Sequence, residues 1–251
     1  YRNVLAGGFK GPCYAVNPKY KEVAGRPCYK NLRELDKQID LALIAMPADK
    51  VADILDQCGD YGVKVAVVHT GGFAESGDKG ALLQERIVDA ARRNRIRMLG
   101  PNCLGVMRPA SGLNASFGGE QARRGNVALV SQSGAVSTAM LDWSGPRRLG
   151  FSAVVSIGAG ADVGFGSVLD FLALDSQTHC ILLYVEGLRS ARRFMSALRA
   201  AARLKPVIVV KSGRRPAGSR AARSHTGAWV GSPDVFSAAM ERAGAVQVDA
   251  L

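Results

Sequence analysis

Short apolar, β-branched runs alternate along this chain with longer stretches of helical period, and this alternation limits the fold more than any other feature. It is the pattern of βαβ units, in which parallel strands need helical crossovers to pair. PCYAVNP, DLALIAMP, KVAVVHTGG and IRMLGPN read as buried strands of a first half. Between them, ADKVADILDQCGDYG and DKGALLQERIVDAARRNR place apolar residues at three- and four-residue steps, as amphipathic helices do. The strands NVALVS, FSAVVSIG, HCILLYVEG, PVIVVKSG and AVQVDA form a second half, with helices expected over 134–146, 166–174, 190–204 and 233–243. The last begins with Ser232 as cap and Pro233 at its first position, a strong start signal. The polar, glycine-rich stretch SGLNASFGGEQARRG is taken as the junction, giving two α/β domains over 1–118 and 119–251.

Composition excludes several classes. A chain of 251 residues, 47% hydrophobic and 22% charged, is that of a folded globular protein, not a disordered one. No apolar run suits a bilayer span, so no membrane role is expected. The opening YRNVLAGGFKG lacks Met and a signal pattern and reads as the tail of a helix, so the chain is expected to start inside a domain. Five scattered cysteines without a C-x-x-C pair suggest reduced thiols, a cytoplasmic protein and no metal site. The net charge of +12, crowded between Arg189 and Arg223, has no aromatic platform or nucleic-acid motif beside it. Nucleic acid is therefore not expected, and most of this charge reads as a solvated face.

One histidine stands out. His179 opens a strand and reads as a surface residue; His69 ends one, where a structural hydrogen bond is the simpler reading. His225 lies in KSGRRPAGSRAARSHTGAWVGSPD, a long glycine-rich loop between a buried strand and a capped helix. Such loops lie at the carboxyl edge of a sheet, where ligands bind. A neutral imidazole attacks a phosphoryl group well when its other ring nitrogen is held by an acceptor. Glu186, at the end of ILLYVEG, is placed to be that acceptor. In SQSGAV, Ser133 and the backbone N–H groups of Gly134 and Ala135 open a helix after a strand, which makes an anion site.

The motifs GGFKGPCYAVNPKY, LALIAMPAD, GGFAESG, LGPNCLGV, GLNASF, LVSQSGAVSTAMLDW, LLYVEG, KPVIVVKSGR and SHTGA follow one another over the whole chain. In this order they resemble the α part of ADP-forming acetyl-CoA synthetases and, more distantly, succinyl-CoA synthetase. The resemblance implies a Rossmann-like CoA-binding domain, here without its first strand and glycine-rich loop, followed by a flavodoxin-like parallel-sheet domain. It implies that His225 is phosphorylated, that Glu186 orients it, and that Ser133 and Gly134 hold the phosphoryl group. Asn17, Pro18 and Lys19 would meet the CoA nucleotide, and Pro47, Gly72, Phe73, Asn102 and Cys103 would line the rest of its groove. For Cys103 a buried, small apolar role is the expected one.

The implied reaction converts acid, CoA and ATP to acyl-CoA, ADP and phosphate through phosphohistidine and acyl phosphate. The implied partners are a small carboxylic acid, CoA, and an ATP-grasp domain or subunit supplying ATP/ADP and Mg²⁺, in an oligomer. Ala159, in SIGAGADV, stands where these synthetases commonly carry Asn in the acyl-substrate loop. The stretch from Leu182 to Arg214 also resembles the synthetase-like part of certain protein lysine acetyltransferases. A CoA- or acyl-CoA-sensing region fused to an acetyltransferase domain is therefore the alternative, with a bare CoA- or nucleotide-binding module as a third reading.

Overall fold

In the computed structural model, which describes residues 1–213 and 232–248, most strands gather into two separate sheets. The first contains β4 (Leu41–Ile44), β5 (Val65–Val68) and β6 (Arg97–Leu99) in that order, all parallel. The crossovers are α2 (Val51–Asp60) and α3 (Asp78–Arg93), whose apolar residues Leu55, Cys58, Ile87 and Ala90 pack with Val63, Val68 and Met98. A short α1 (Arg2–Ala6) occupies the opening segment read as a helix tail.

The expected strand PCYAVNP departs from its reading. Only β1 (Ala15–Val16) forms, and it pairs with β3 (Arg26–Tyr29) in a separate small sheet that also holds β2 (Glu22–Val23). A two-residue turn, Ala24–Gly25, joins β2 and β3 with φ of 53° and 73°. Positive φ at both positions matches the twist of a tight hairpin, so a local partner takes up the segment.

The second sheet has seven strands in the order β13-β12-β11-β9-β10-β7-β8. Its parallel part comprises β9 (Arg124–Ser131), β10 (Phe151–Ser156), β11 (Cys180–Val185), β12 (Val207–Lys211) and β13 (Val246–Val248). Counted along the chain these five strands lie 2-1-3-4-5, the flavodoxin-like order. Strand β10, parallel to β9 and antiparallel to β7, is an inner strand of the sheet and is buried along its whole length. Helices α5 (Phe165–Leu174), α6 (Ala191–Ala202) and α7 (Pro233–Ala243) contribute Leu169, Leu172, Phe194, Leu198 and Met240 to one core. Helix α4 (Gly134–Ser144) packs Met140 and Leu141 into another, with Phe151 and Val154. Helix α7 ends on Gly244 in the left-handed region, its N–H returned to Met240 and Glu241.

The antiparallel hairpin of β7 (Gly105–Arg108) and β8 (Leu113–Ser116) extends this second sheet through β10. The junction drawn at 118/119 places the hairpin with the first half. Polar, glycine-rich composition marks an exposed connection, and it does not reveal which sheet a preceding hairpin joins.

The two sheets are fastened where their loops meet. After β10 the chain runs along the free edge of β6, with Ala159, Ala161 and Val163 N–H donating to Pro101, Gly100 and Met98 carbonyls at 3.0, 3.0 and 3.1 Å. Asp162 adds a carboxylate to Met98 N–H at 2.8 Å and to Arg97 at 3.1 Å. Gly158 starts this run at φ 54°, and a Cβ there would collide with the Pro101 and Asn102 carbonyl oxygens. Gly158→Ala is therefore expected to cost about 1–2 kcal/mol in backbone strain alone, with further loss as the loop is pushed off β6. A fall in melting temperature of roughly 5 °C or more checks this; an unchanged melting temperature contradicts it.

Among the described residues no helix is long and apolar enough to cross a membrane.

Candidate functional site

Strand order 2-1-3-4-5 reverses direction of winding between its first and third members, here β9 and β11, and such folds bind ligands at the carboxyl ends of those strands. Three of the residues singled out in the sequence follow β9 directly. Ser133 caps α4, its hydroxyl accepting from Val136 N–H at 3.2 Å. The capping residue is itself fixed by buried Ser131, whose hydroxyl donates to Ser133 C=O at 2.8 Å and accepts its N–H at 3.0 Å. The first-turn N–H groups of Gly134 and Ala135 lie where a helix has no internal acceptors and a positive dipole end. Gly134 brings no side chain to this start, and Ala135 is exposed.

Glu186 follows β11 and is buried, 6% exposed. Its backbone is held from both neighbouring strands. Gln132, at the end of β9, accepts the N–H groups of Glu186 and Gly187 at 2.7 and 3.0 Å. Lys211, at the end of β12, donates to the carbonyls of Glu186 and Ser212 at 2.9 and 2.7 Å. Burial pushes the Lys211 amine down from its ordinary value, while the charge of Glu186 acts in the opposite direction. Sequence reasoning missed Gln132 and Lys211. Both are polar residues ending buried apolar strands, and that is the signal that could have found them.

His225 lies outside the described residues. Ser212, which follows β12, lies beside Glu186, and its N–H donates to Val185 C=O at 3.0 Å.

The expected CoA-groove residues divide into two groups. Pro47, Gly72 and Asn102 follow β4, β5 and β6, so they share one edge of the first sheet. Thr70 ties these loops together: its hydroxyl donates to Met46 C=O at 2.7 Å, and its carbonyl accepts Asn102 N–H at 2.8 Å. Gly72 has φ of 93°, and the Glu75 carboxylate accepts the N–H groups of Gly72 and Phe73 at 2.7 and 3.2 Å. The Phe73 side chain is fully buried in the core of the first sheet, so it is backbone that Phe73 offers to a groove. Cys103 is buried as well; its thiol donates to Val68 C=O at 3.3 Å, and burial pushes it up to about 12. A thiol held protonated is a packing group and not a nucleophile. Asn17, Pro18 and Lys19 sit apart on the small sheet, in a turn where Asn17 Oδ1 accepts Lys19 N–H at 2.9 Å and Asn17 N–H donates to Tyr29.

Past the carboxyl ends of β9, β10 and β11 lies a cavity of about 170 Å³ lined by Gln132, Ala159, Phe165, Leu188, Arg189 and Phe194 among others.

Comparison with known proteins agrees with this architecture. The succinyl-CoA ligase like flavodoxin domain matches residues 124–251, and a CoA binding domain matches residues 1–109. The α subunit of acetate–CoA ligase [ADP-forming] I from Pyrococcus furiosus is 40% identical over 250 residues, covering 98% of this chain and 54% of that protein. Acetate–CoA ligase [ADP-forming] I from Archaeoglobus fulgidus is 40% identical over 243 residues, covering 97% of this chain and 36% of that protein. The chain thus spans about half or less of the length of these relatives. The solved dinucleotide forming acetyl-coenzyme A synthetase 1 of Ca. Korarchaeum cryptofilum, in complex with phosphate and ADP, superposes with a TM-score of 0.94 at 38% identity, over 100% of this chain and 54% of that one. With a Rossmann-like CoA-binding domain and a flavodoxin-like ligase domain in this order, the chain belongs to the succinyl-CoA ligase family and resembles within it the α subunit of ADP-forming acetate–CoA ligases.

Proposed function

We propose that this chain is the CoA-binding, phosphohistidine-bearing part of an ADP-forming acyl-CoA ligase, with His225 as the phosphoryl carrier. The reading rests chiefly on the meeting of two groups at the switch point between β9 and β11. These are a Ser133-capped helix start and a buried Glu186 whose backbone is pinned by Gln132 and Lys211. The helix start supplies N–H donors to an arriving phosphoryl oxygen. Glu186 supplies an acceptor for one ring nitrogen of His225, leaving the other as the nucleophile. Phosphate passes from ATP to the imidazole, then to the carboxylate of the acid, and the CoA thiol displaces it. Each step thereby has a good leaving group.

ATP and Mg²⁺ are assigned to an ATP-grasp partner, and this chain's residues supply the relay. The loops after β4, β5 and β6, with the Asn17–Lys19 turn, are assigned to CoA; Lys19 offers a phosphate its charge partner. The cavity beside Gln132 is assigned to the acid. At about 170 Å³ it is comparable to cavities that admit a benzene-sized guest, which suits a small carboxylic acid. The relatives compared above are ADP-forming ligases and lend the acetyltransferase alternative no support.

The test is acid-labile labelling of the full-length protein, with its nucleotide-binding part, from γ-labelled ATP. Glu186→Gln should slow that labelling by on the order of 10²- to 10⁴-fold, as loss of a histidine-orienting carboxylate does elsewhere, with the circular dichroism spectrum unchanged. Labelling at the parental rate would leave Glu186 as a structural residue.

A further inference from the structure

His69 is held in one protonation pattern at the edge where the CoA loops meet the phosphoryl site. Its Nδ1 lies 3.1 Å from the Cys103 carbonyl. A carbonyl only accepts, so Nδ1 carries the hydrogen and Nε2 is left with the lone pair. The ring is packed closely enough that a Cβ on Gly105 would come within 2.8 Å of its Cε1. Phe117 meets it edge to face, with ring centroids 5.6 Å apart, yet Phe117 is 66% exposed.

The segment holding His69 is also the one that touches α4. Leu104 lies between Cys103 and Gly105, and its Cβ is 3.5 Å from the position of a Cβ on Gly134. Leu104 C=O accepts the Phe117 N–H at 3.2 Å. A fixed imidazole acceptor and an exposed aromatic face thus border one short stretch of backbone whose other side abuts the phosphoryl-binding helix.

We propose that His69 Nε2 is the proton acceptor for the CoA thiol in the acyl-transfer step, with Phe117 as the apolar wall beside the arm that carries the thiol. This rests on the ligase reading above. Nε2 takes the S–H proton, and the sulfur forms its bond to the acyl carbon. The C–O bond to phosphate breaks with its electron pair on phosphate, and the imidazolium proton passes to that phosphate or to water. Burial lowers His69 from its ordinary value and keeps the ring neutral near pH 7, with the hydrogen bond to Cys103 acting against it. The Cys103 thiol beside it stays protonated.

His69→Asn is the decisive variant, because its amide can still donate to Cys103 C=O while nothing replaces Nε2. In the full-length enzyme with its nucleotide-binding part, labelling from γ-labelled ATP should match the parent. Acyl-CoA formation should fall about 10²-fold at pH 7, within the range of general-base catalysis. The defect should shrink toward pH 9 as the thiol ionises unaided, which a structural role would not produce. His69→Gln, measured the same way, guards against misfolding of the first variant, with labelling reporting an intact fold. Normal labelling with unchanged acyl transfer, or with a loss equal at every pH, overturns the proposal. Absence of label in the parent itself would instead overturn the ligase reading, and this inference with it.

Discussion

His225→Ala in the full-length protein will abolish acid-labile labelling from γ-labelled ATP and, with it, net formation of acyl-CoA. The effect is expected to be total within detection, because in the proposed relay the imidazole is a covalent carrier and not one of several stabilising contacts. The helix start at Ser133 and the groups around Glu186 remain in the variant, but donors for a phosphoryl oxygen cannot bond phosphorus. ATP binding, which is assigned to the partner, should persist, so that the loss falls on transfer and not on nucleotide affinity. Retention of parental label in His225→Ala would remove the relay and place the phosphoryl group elsewhere.

The second large effect concerns stability. Arg108 on β7 and Asp175 after α5 form a two-pronged pair at 2.8 and 2.7 Å, and Asp175 also accepts the Thr178 hydroxyl at 2.6 Å. Side-chain exposure is 22% for Arg108 and 7% for Asp175, so water screens the pair little. Asp175→Ala strands the guanidinium beside Ser152 C=O and is expected to cost about 3 kcal/mol, the lower end for breaking a buried pair because Arg108 is not fully covered. The urea midpoint reports it; a change below about 0.5 kcal/mol would place the pair among weak surface bridges.

The same pair predicts a pH dependence. The Arg108 guanidinium, chiefly by hydrogen bonding, with smaller help from Thr178, holds the Asp175 carboxyl well below the usual carboxylate range. A carboxylate depressed by folding stabilises the native state above its unfolded value of about 3.9. That stabilisation drains away as pH falls below about 4 toward the folded value. The stability difference between the parent and Asp175→Asn should accordingly be constant above about pH 5 and narrow progressively below pH 4. A difference independent of pH throughout would contradict the assignment.

Much of this architecture was legible because its signals are local. Helix α4 starts at Gly134 after a Ser cap, and α7 spans Pro233–Ala243 between Ser232 and Gly244, as the reading 233–243 has it. The apolar runs of β4, β5, β6 and the five parallel strands of the second sheet were likewise readable, since parallel strands of α/β folds read as apolar runs. The Ala24–Gly25 hairpin was not, because alanine at a positive φ carries no turn signal.

By itself, then, the sequence determined the α/β class, the succession of two parallel-sheet halves, and the residue types able to serve an anion at a helix start. Periodicity and capping depend on neighbours within a few positions, which the chain order already contains. Tertiary structure alone decided which strands lie side by side. That placed β9 against β11, let Gln132 reach Glu186 across 54 positions, and sent the β7–β8 hairpin to the second sheet. Such choices are settled by how apolar faces are covered and buried polar groups satisfied over long separations, and no window along the chain records them.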